Sequence, residues 1–148
     1  LETLMNQVAA QAIPGAAPVL RAALQQITPA EARTLLEGDV TAGSDYLKTK
    51  TAAALQAALR PAVADQLTAN GATAVYSELV DVYDAQRKLG AADASVPTPE
   101  PAPELAQYVT ERAVDGLFAT LSAREAQIRK DLDRATGGLL QRSNNPTP

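Results

Sequence analysis

Apolar residues recur every three to four positions along most of this chain, with polar residues between them. That spacing puts them on one side of a 3.6-residue helix, and no alternation of period two persists anywhere. Leu1, Leu4, Met5, Val8, Ala12 and Ile13 mark a first helix, which Pro14-Gly15 is expected to end. A second helix is expected from about Ala16 to Gln26, with Pro18 in its first turn, where a missing N–H costs nothing. Thr28-Pro29-Ala30-Glu31 has the form of a capping box with proline at the first helical position. The short helix that follows carries Ala32, Leu35 and Leu36, and Gly38 is expected to close it as a C′ residue.

Asp39 to Asp45 is a small-residue loop leading into the next helix. There Leu47, Thr51, Leu55, Leu59, Val63 and Leu67 follow one another every four residues. Pro61 interrupts the series, so a kink or restart is expected near Arg60, whose side chain is a candidate to bond the carbonyls a proline frees. Asn70-Gly71 ends the segment, and Ala72, Val75, Tyr76, Leu79, Val80 and Tyr83 mark another amphipathic helix.

A proline-rich stretch over residues 90–103 reads as an extended spacer. Beyond it, Leu105, Tyr108, Val109, Ala113, Leu117, Phe118, Leu121, Ile128 and Leu132 line a long last helix. Gly116 sits inside it, a costly choice unless a neighbour packs there. Ser122-Ala-Arg-Glu125 has the form of a second capping box, so a break near Ser122 is expected, then a short helix with Leu139 and Leu140. The pattern thus predicts an all-α fold, a compact bundle of about six to seven helices. It would form a single domain over 1–142 containing the spacer, with 143–148 a disordered tail.

Composition narrows the chemistry more than the fold. The chain has 148 residues, 46% of them hydrophobic but only 3% aromatic, so its core must rest on Leu, Val, Ile and Ala. With neither Cys nor His, it lacks thiol and imidazole catalysis, disulfides and nearly all zinc sites. A net charge of −4 and no basic stripe remove the footprint of a nucleic-acid binder. No apolar run approaches the ~20 residues of a membrane span.

Three places could still carry chemistry. Glu125 precedes Arg129 by four residues on a helix, the favoured order for an ion pair. Because Glu125 shares a stripe with Leu117, Leu121, Ile128 and Leu132, it is expected to point partly inward, where Arg129 or Arg112 would have to balance it. Such a pair fixes helix packing, or else holds a ligand with a carboxylate of shifted pKa. In the second place, the loop from Gly38 to Tyr46 and the following helix start read as an anion site beside Lys48 or Arg33, with Asp39, Thr41, Ser44 and Tyr46 as candidate ligand-binding residues. Asp39, Thr41, Ser44 and Asp45 read instead as ordinary capping groups or as oxygens for Ca²⁺, although the bidentate Glu of an EF-hand is missing. In the third, Asp115-Gly116 marks close helix packing or a pocket wall. No catalytic residue, metal site or cofactor is assigned on this reading.

Several fragments, in order, resemble one bacterial family. They include Ala23-Leu24-Gln25-Gln26-Ile27-Thr28 with Glu31-Ala32, Leu35-Leu36-Glu37-Gly38, Tyr46-Leu47 and Arg60-Pro61. Tyr108-Val109-Thr110, Ala113-Val114-Asp115-Gly116-Leu117-Phe118, Glu125 with Ile128-Arg129, Arg134 and Leu139-Leu140 complete the series. The family is the one catalogued as domain of unknown function 4197. The resemblance implies an exported protein of the periplasm or cell envelope, with a signal segment and possible lipid anchor upstream, and it supplies no catalytic residues. Ala10 stands where the family has Glu, which weakens any role for a carboxylate in the first helix. Ser44 replaces a Thr, and Asp131-Leu132 an Asn-Pro-like pair.

The leading expectation is therefore a non-enzymatic binding or envelope-structural protein, taking a small ligand, a lipid or an envelope protein into a cavity left by imperfect packing. The alternatives are a protein–protein interaction module and a carboxylate-dependent hydrolase using Glu125 or Asp115.

Overall fold

The computed structural model describes residues 1–88 and 102–143, and the side chains of the last helix over 105–136. The helices are α1 (Glu2–Ala12), a 3-10 turn (Ile13–Ala16), α2 (Ala17–Gln25), α3 (Pro29–Glu37), α4 (Ala42–Ala69), α5 (Ala72–Lys88) and α6 (Ala102–Ser143). No strand occurs among the described residues, so the all-α reading holds. Because the 3-10 turn joins α1 to α2, the helical residues among those described form five unbroken stretches, fewer than the six to seven separate helices the pattern predicts.

The first helix ends as predicted, at Ala12 before Pro14-Gly15, while the predicted restart at Pro61 and break near Ser122 do not occur. Pro14-Gly15 tightens the chain into the 3-10 turn, and α2 continues from it. Gly15 is needed there for space, since a Cβ would lie 3.0 Å from the Leu59 Cδ2. Pro61 sits inside α4 without a restart, carried by helix-forming Ala and Leu on both sides. Arg60 donates no hydrogen bond to the freed carbonyls among the described residues. Ser122 lies within α6, whose 42 residues also absorb the separate short helix expected at Leu139-Leu140. The expected spacer over 90–103 and tail over 143–148 lie outside the described residues except at Ala102, Pro103 and Ser143, which belong to α6.

The caps follow local chemistry more closely. The Thr28 hydroxyl accepts from the Glu31 amide at 3.2 Å while the Glu31 carboxylate accepts from the Thr28 amide at 2.9 Å, closing the predicted box. Gly38 does end α3, but with φ −79° and ψ −172°, an extended geometry open to any residue rather than a left-handed one. Gly71 is the positive-φ stop, at 79°, and the Asn70 side chain accepts from the Ala72 amide to start α5.

α4 and α6 form the central pair. The four-residue row Leu55, Leu59, Val63 and Leu67 is buried along its whole length, forming a ridge of the kind that packs between helices. Its N-terminal half joins Ala16, Val114 and Phe118, and its C-terminal half joins Val8, Ala12, Ala72, Leu105 and Val109. Gly116 lies on the rim of a shallow hollow of about 290 Å³ with Ala9, Ile13 and Leu117. A Cβ there would meet nothing within 4 Å, so close packing does not explain the glycine. Gly116→Ala should accordingly raise stability by about 0.5–1 kcal/mol in a urea titration, the usual gain inside a helix; a loss would mean that something must approach this backbone.

Candidate functional site

The first turn of α4 begins four residues earlier than the predicted loop allows, at Ala42, so Gly43 and Ser44 are helical. A helix start leaves four amides without partners. Thr41, in the N-cap position, satisfies none of them with its side chain, and its hydroxyl donates instead to Asp45 at 2.9 Å. The Ala42 amide donates to the Asp39 carbonyl, and the Asp45 amide makes the first regular helical bond, to Thr41. The amides of Gly43 and Ser44 reach across the fold. The Gly43 amide donates to Glu125 Oε1 at 2.9 Å, and the Ser44 amide to Oε2 at 2.7 Å. The Ser44 hydroxyl also donates to Oε2 at 2.7 Å. A carboxylate from α6 thus caps α4.

Arg129, one turn further along α6, completes the arrangement. Its Nε and Nη2 donate to Glu125 Oε1 at 3.2 and 2.9 Å. Its Nη2 and Nη1 donate to the carbonyls of Leu35 and Leu36 at 2.6 and 3.0 Å. Those carbonyls belong to the last turn of α3, where a helix leaves acceptors unpaired and its dipole favours a cation. The same dipole logic puts the carboxylate at the start of α4. One ion pair on α6 therefore clips the end of α3 to the beginning of α4. Both side chains are about 20% exposed. Burial alone would raise the Glu125 carboxyl, but bonds from the Ser44 hydroxyl and amide, Arg129 and the Gly43 amide outweigh it and lower its pKa from 4.5 to about 2.

Gly43 is what lets the carboxylate approach, because a Cβ there would stand 2.9 Å from Glu125 Oε1. Gly43→Ala is expected to destabilise the fold by about 1–2 kcal/mol, although alanine is the better helix former. Chemical denaturation of this variant beside Gly116→Ala gives one substitution with two opposite signs, and equal signs would contradict the clip.

Of the seven residues singled out from the sequence, the structure gathers Ser44, Glu125 and Arg129. The others lie apart from the clip. Asp39 contributes only its backbone carbonyl, and Thr41 pairs with Asp45. The Tyr46 hydroxyl donates to Glu31 at 3.1 Å, under Lys50 stacked 5.5 Å from its ring. Its phenol is pushed up by burial and by that bond. Asp115 pairs with Lys48 at 3.1 Å and loosely with Arg112 at 3.9 Å, half-exposed. So Arg112 does not serve Glu125, and the anion expected at the α4 start is the chain's own carboxylate. Among the described residues no three acidic side chains gather as a metal site.

Beside the clip lies a groove of about 690 Å³ between the α3–α4 corner and α6. Leu36, Val40, Leu47, Leu121, Ile128 and Leu132 make its apolar lining, and Arg124 and Asp133 stand on its rim. Leu36, Val40, Ile128 and Leu132 are 75, 59, 58 and 60% exposed. Sequence reading missed this groove and Gly43 alike. The helical stripe could flag Ile128 and Leu132, but not which stretch of the stripe lacks a partner.

A family model described as "Protein of unknown function (DUF4197)" matches residues 1–143. No curated protein and no solved structure matches the chain.

Proposed function

Because the chain belongs to DUF4197, a family of unknown function, we propose a function from the site itself: a non-catalytic binding protein that holds an apolar ligand in the groove between the α3–α4 corner and α6. The observation that carries this reading is the contrast within the site. The inward carboxylate is fully used in joining helices, while four large apolar side chains around the groove remain exposed. Apolar surface gathered in a concavity is unusual for a monomer and typical of binding sites. The groove's volume of about 690 Å³ lies in the ~300–1,000 Å³ range of small-ligand sites.

The hydrolase alternative draws little support. A general acid or base works best with a pKa near the operating pH, and Glu125, at about 2, holds no proton to give and binds one weakly. Asp115 is half-exposed between two cations. The exposed side chains also favour an interaction module, in which a protein partner covers the same groove. No helix among the described residues is long and apolar enough to cross a membrane. The proposal extends to a periplasmic or envelope location, on the family resemblance alone, which fractionation of the host cell checks.

The test is titration with a fluorescent long-chain alkyl probe against the parent, Leu132→Glu and Ile128→Asp. Both positions are exposed, so both variants should fold. Saturable binding that either charge weakens at least tenfold supports the reading. Absent binding, or binding that neither variant changes, overturns it.

A further inference from the structure

We infer that the groove's ligand is a single-chain anionic amphiphile of the fatty-acid class, its carboxylate held by Arg124 and its alkyl chain laid along Leu121, Ile128 and Leu132. This rests on the groove being a binding site and goes further by assigning the chemistry of the head. Arg124 lines the rim and makes no hydrogen bond or ion pair among the described residues. The other guanidinium at the groove, Arg129, is spent on Glu125 and two carbonyls. Glu125 itself repels an incoming anion weakly, because Arg129 and the two α4 amides neutralise it.

The layout has the polarity of an amphiphile. Arg124 stands beside Leu121, and the apolar side chains continue to Leu132, eleven residues or about 16 Å along the helix axis. Asp133 lies nine residues beyond Arg124, about 13 Å further along, where an alkyl chain and not a head would sit. The groove's volume of about 690 Å³ suits one chain better than two. A guanidinium offers two parallel N–H donors, which match the two oxygens of a carboxylate.

The experiment is calorimetric titration of the full chain with hexadecanoate, hexadecanol and hexadecyl phosphate, each below its aggregation concentration. Parent, Arg124→Glu, Arg124→Lys and Leu132→Glu proteins are compared. The expected result is hexadecanoate bound at least tenfold tighter than the alcohol. Arg124→Glu should remove that preference without weakening the alcohol, Arg124→Lys should keep part of it, and Leu132→Glu should weaken both ligands. If acid and alcohol bind equally and Arg124→Glu changes neither, the head assignment is wrong while the apolar groove stands. Tenfold tighter binding of the phosphate than of the carboxylate also overturns the fatty-acid class. If none of the three ligands binds, the groove reading and this inference fall together.

Discussion

A Glu125→Gln protein is expected to lose about 2–4 kcal/mol of unfolding free energy at neutral pH, from the usual cost of breaking a partly buried, hydrogen-bonded charge. The substitution keeps the shape and removes the charge. It also puts an NH₂ group where the carboxylate accepts from Gly43 and Arg129, or where it accepts from Ser44, so donors face donors at one end. Arg129 loses its counter-charge, keeping the Leu35 and Leu36 carbonyls and, in one orientation, the amide oxygen as partners. The effect carries a pH signature. The folded carboxyl ionises at about 2 and the unfolded one near its ordinary 4.5, so the unfolded state binds protons first as pH falls. The carboxylate's contribution is complete above about pH 5 and is lost as pH falls toward 2. Urea titrations of parent and variant at several pH values read this directly. The gap between them should close on acidification, and a gap of under about 0.5 kcal/mol at pH 7 would mean the clip contributes nothing measurable.

The second large effect is expected from Phe118→Ala, at about 3–5 kcal/mol. Phe118 is the only phenylalanine in a chain without tryptophan, and it is 2% exposed among Leu55, Leu59, Val114 and Ala16. Those neighbours sit on three different helical segments, the 3-10 turn, α4 and α6, so they cannot all move inward to fill the space. Alanine and valine around it are too small to re-pack across the gap. The denaturation midpoint should fall while the slope holds, since the surface exposed on unfolding barely changes. Val82→Ala, at a position 57% exposed on α5, is the control and should shift stability by less than about 0.5 kcal/mol. Equal effects of the two substitutions would place the core elsewhere.

What the sequence makes legible here is local. The Thr28–Glu31 box closes within one turn, and Leu55, Leu59, Val63 and Leu67 declare their shared face by spacing alone. The Glu125–Arg129 pair is legible for the same reason, being four residues apart. Its purpose is not, because Gly43 and Ser44 are 82 and 81 residues away along the chain, and no periodicity reports such a partner. The misreadings share one cause. Pro61, read as a restart, and Ser122-Ala-Arg-Glu125 are each credible helix breaks taken alone. Each is overridden by helix formers on both sides and by the burial of the stripe that runs through it. In the case of Ser122, the Glu of the supposed box faces α4 rather than its own backbone.

The borrowed cap at the start of α4 also bears on how the chain matures as it is made. Helices α3 and α4 are complete in sequence long before Glu125 is added, some 81 residues after Ser44. Until then the Gly43 and Ser44 amides lack their carboxylate partner, and the α3–α4 corner is held by the Tyr46–Glu31 bond without the Arg129 clip. A nascent chain, or a fragment ending before α6, therefore carries a first turn of α4 without its cap and an α3–α4 corner more loosely held. The last helix is in this sense not an addition to a finished bundle. Its docking is the step that tells α4 where to begin.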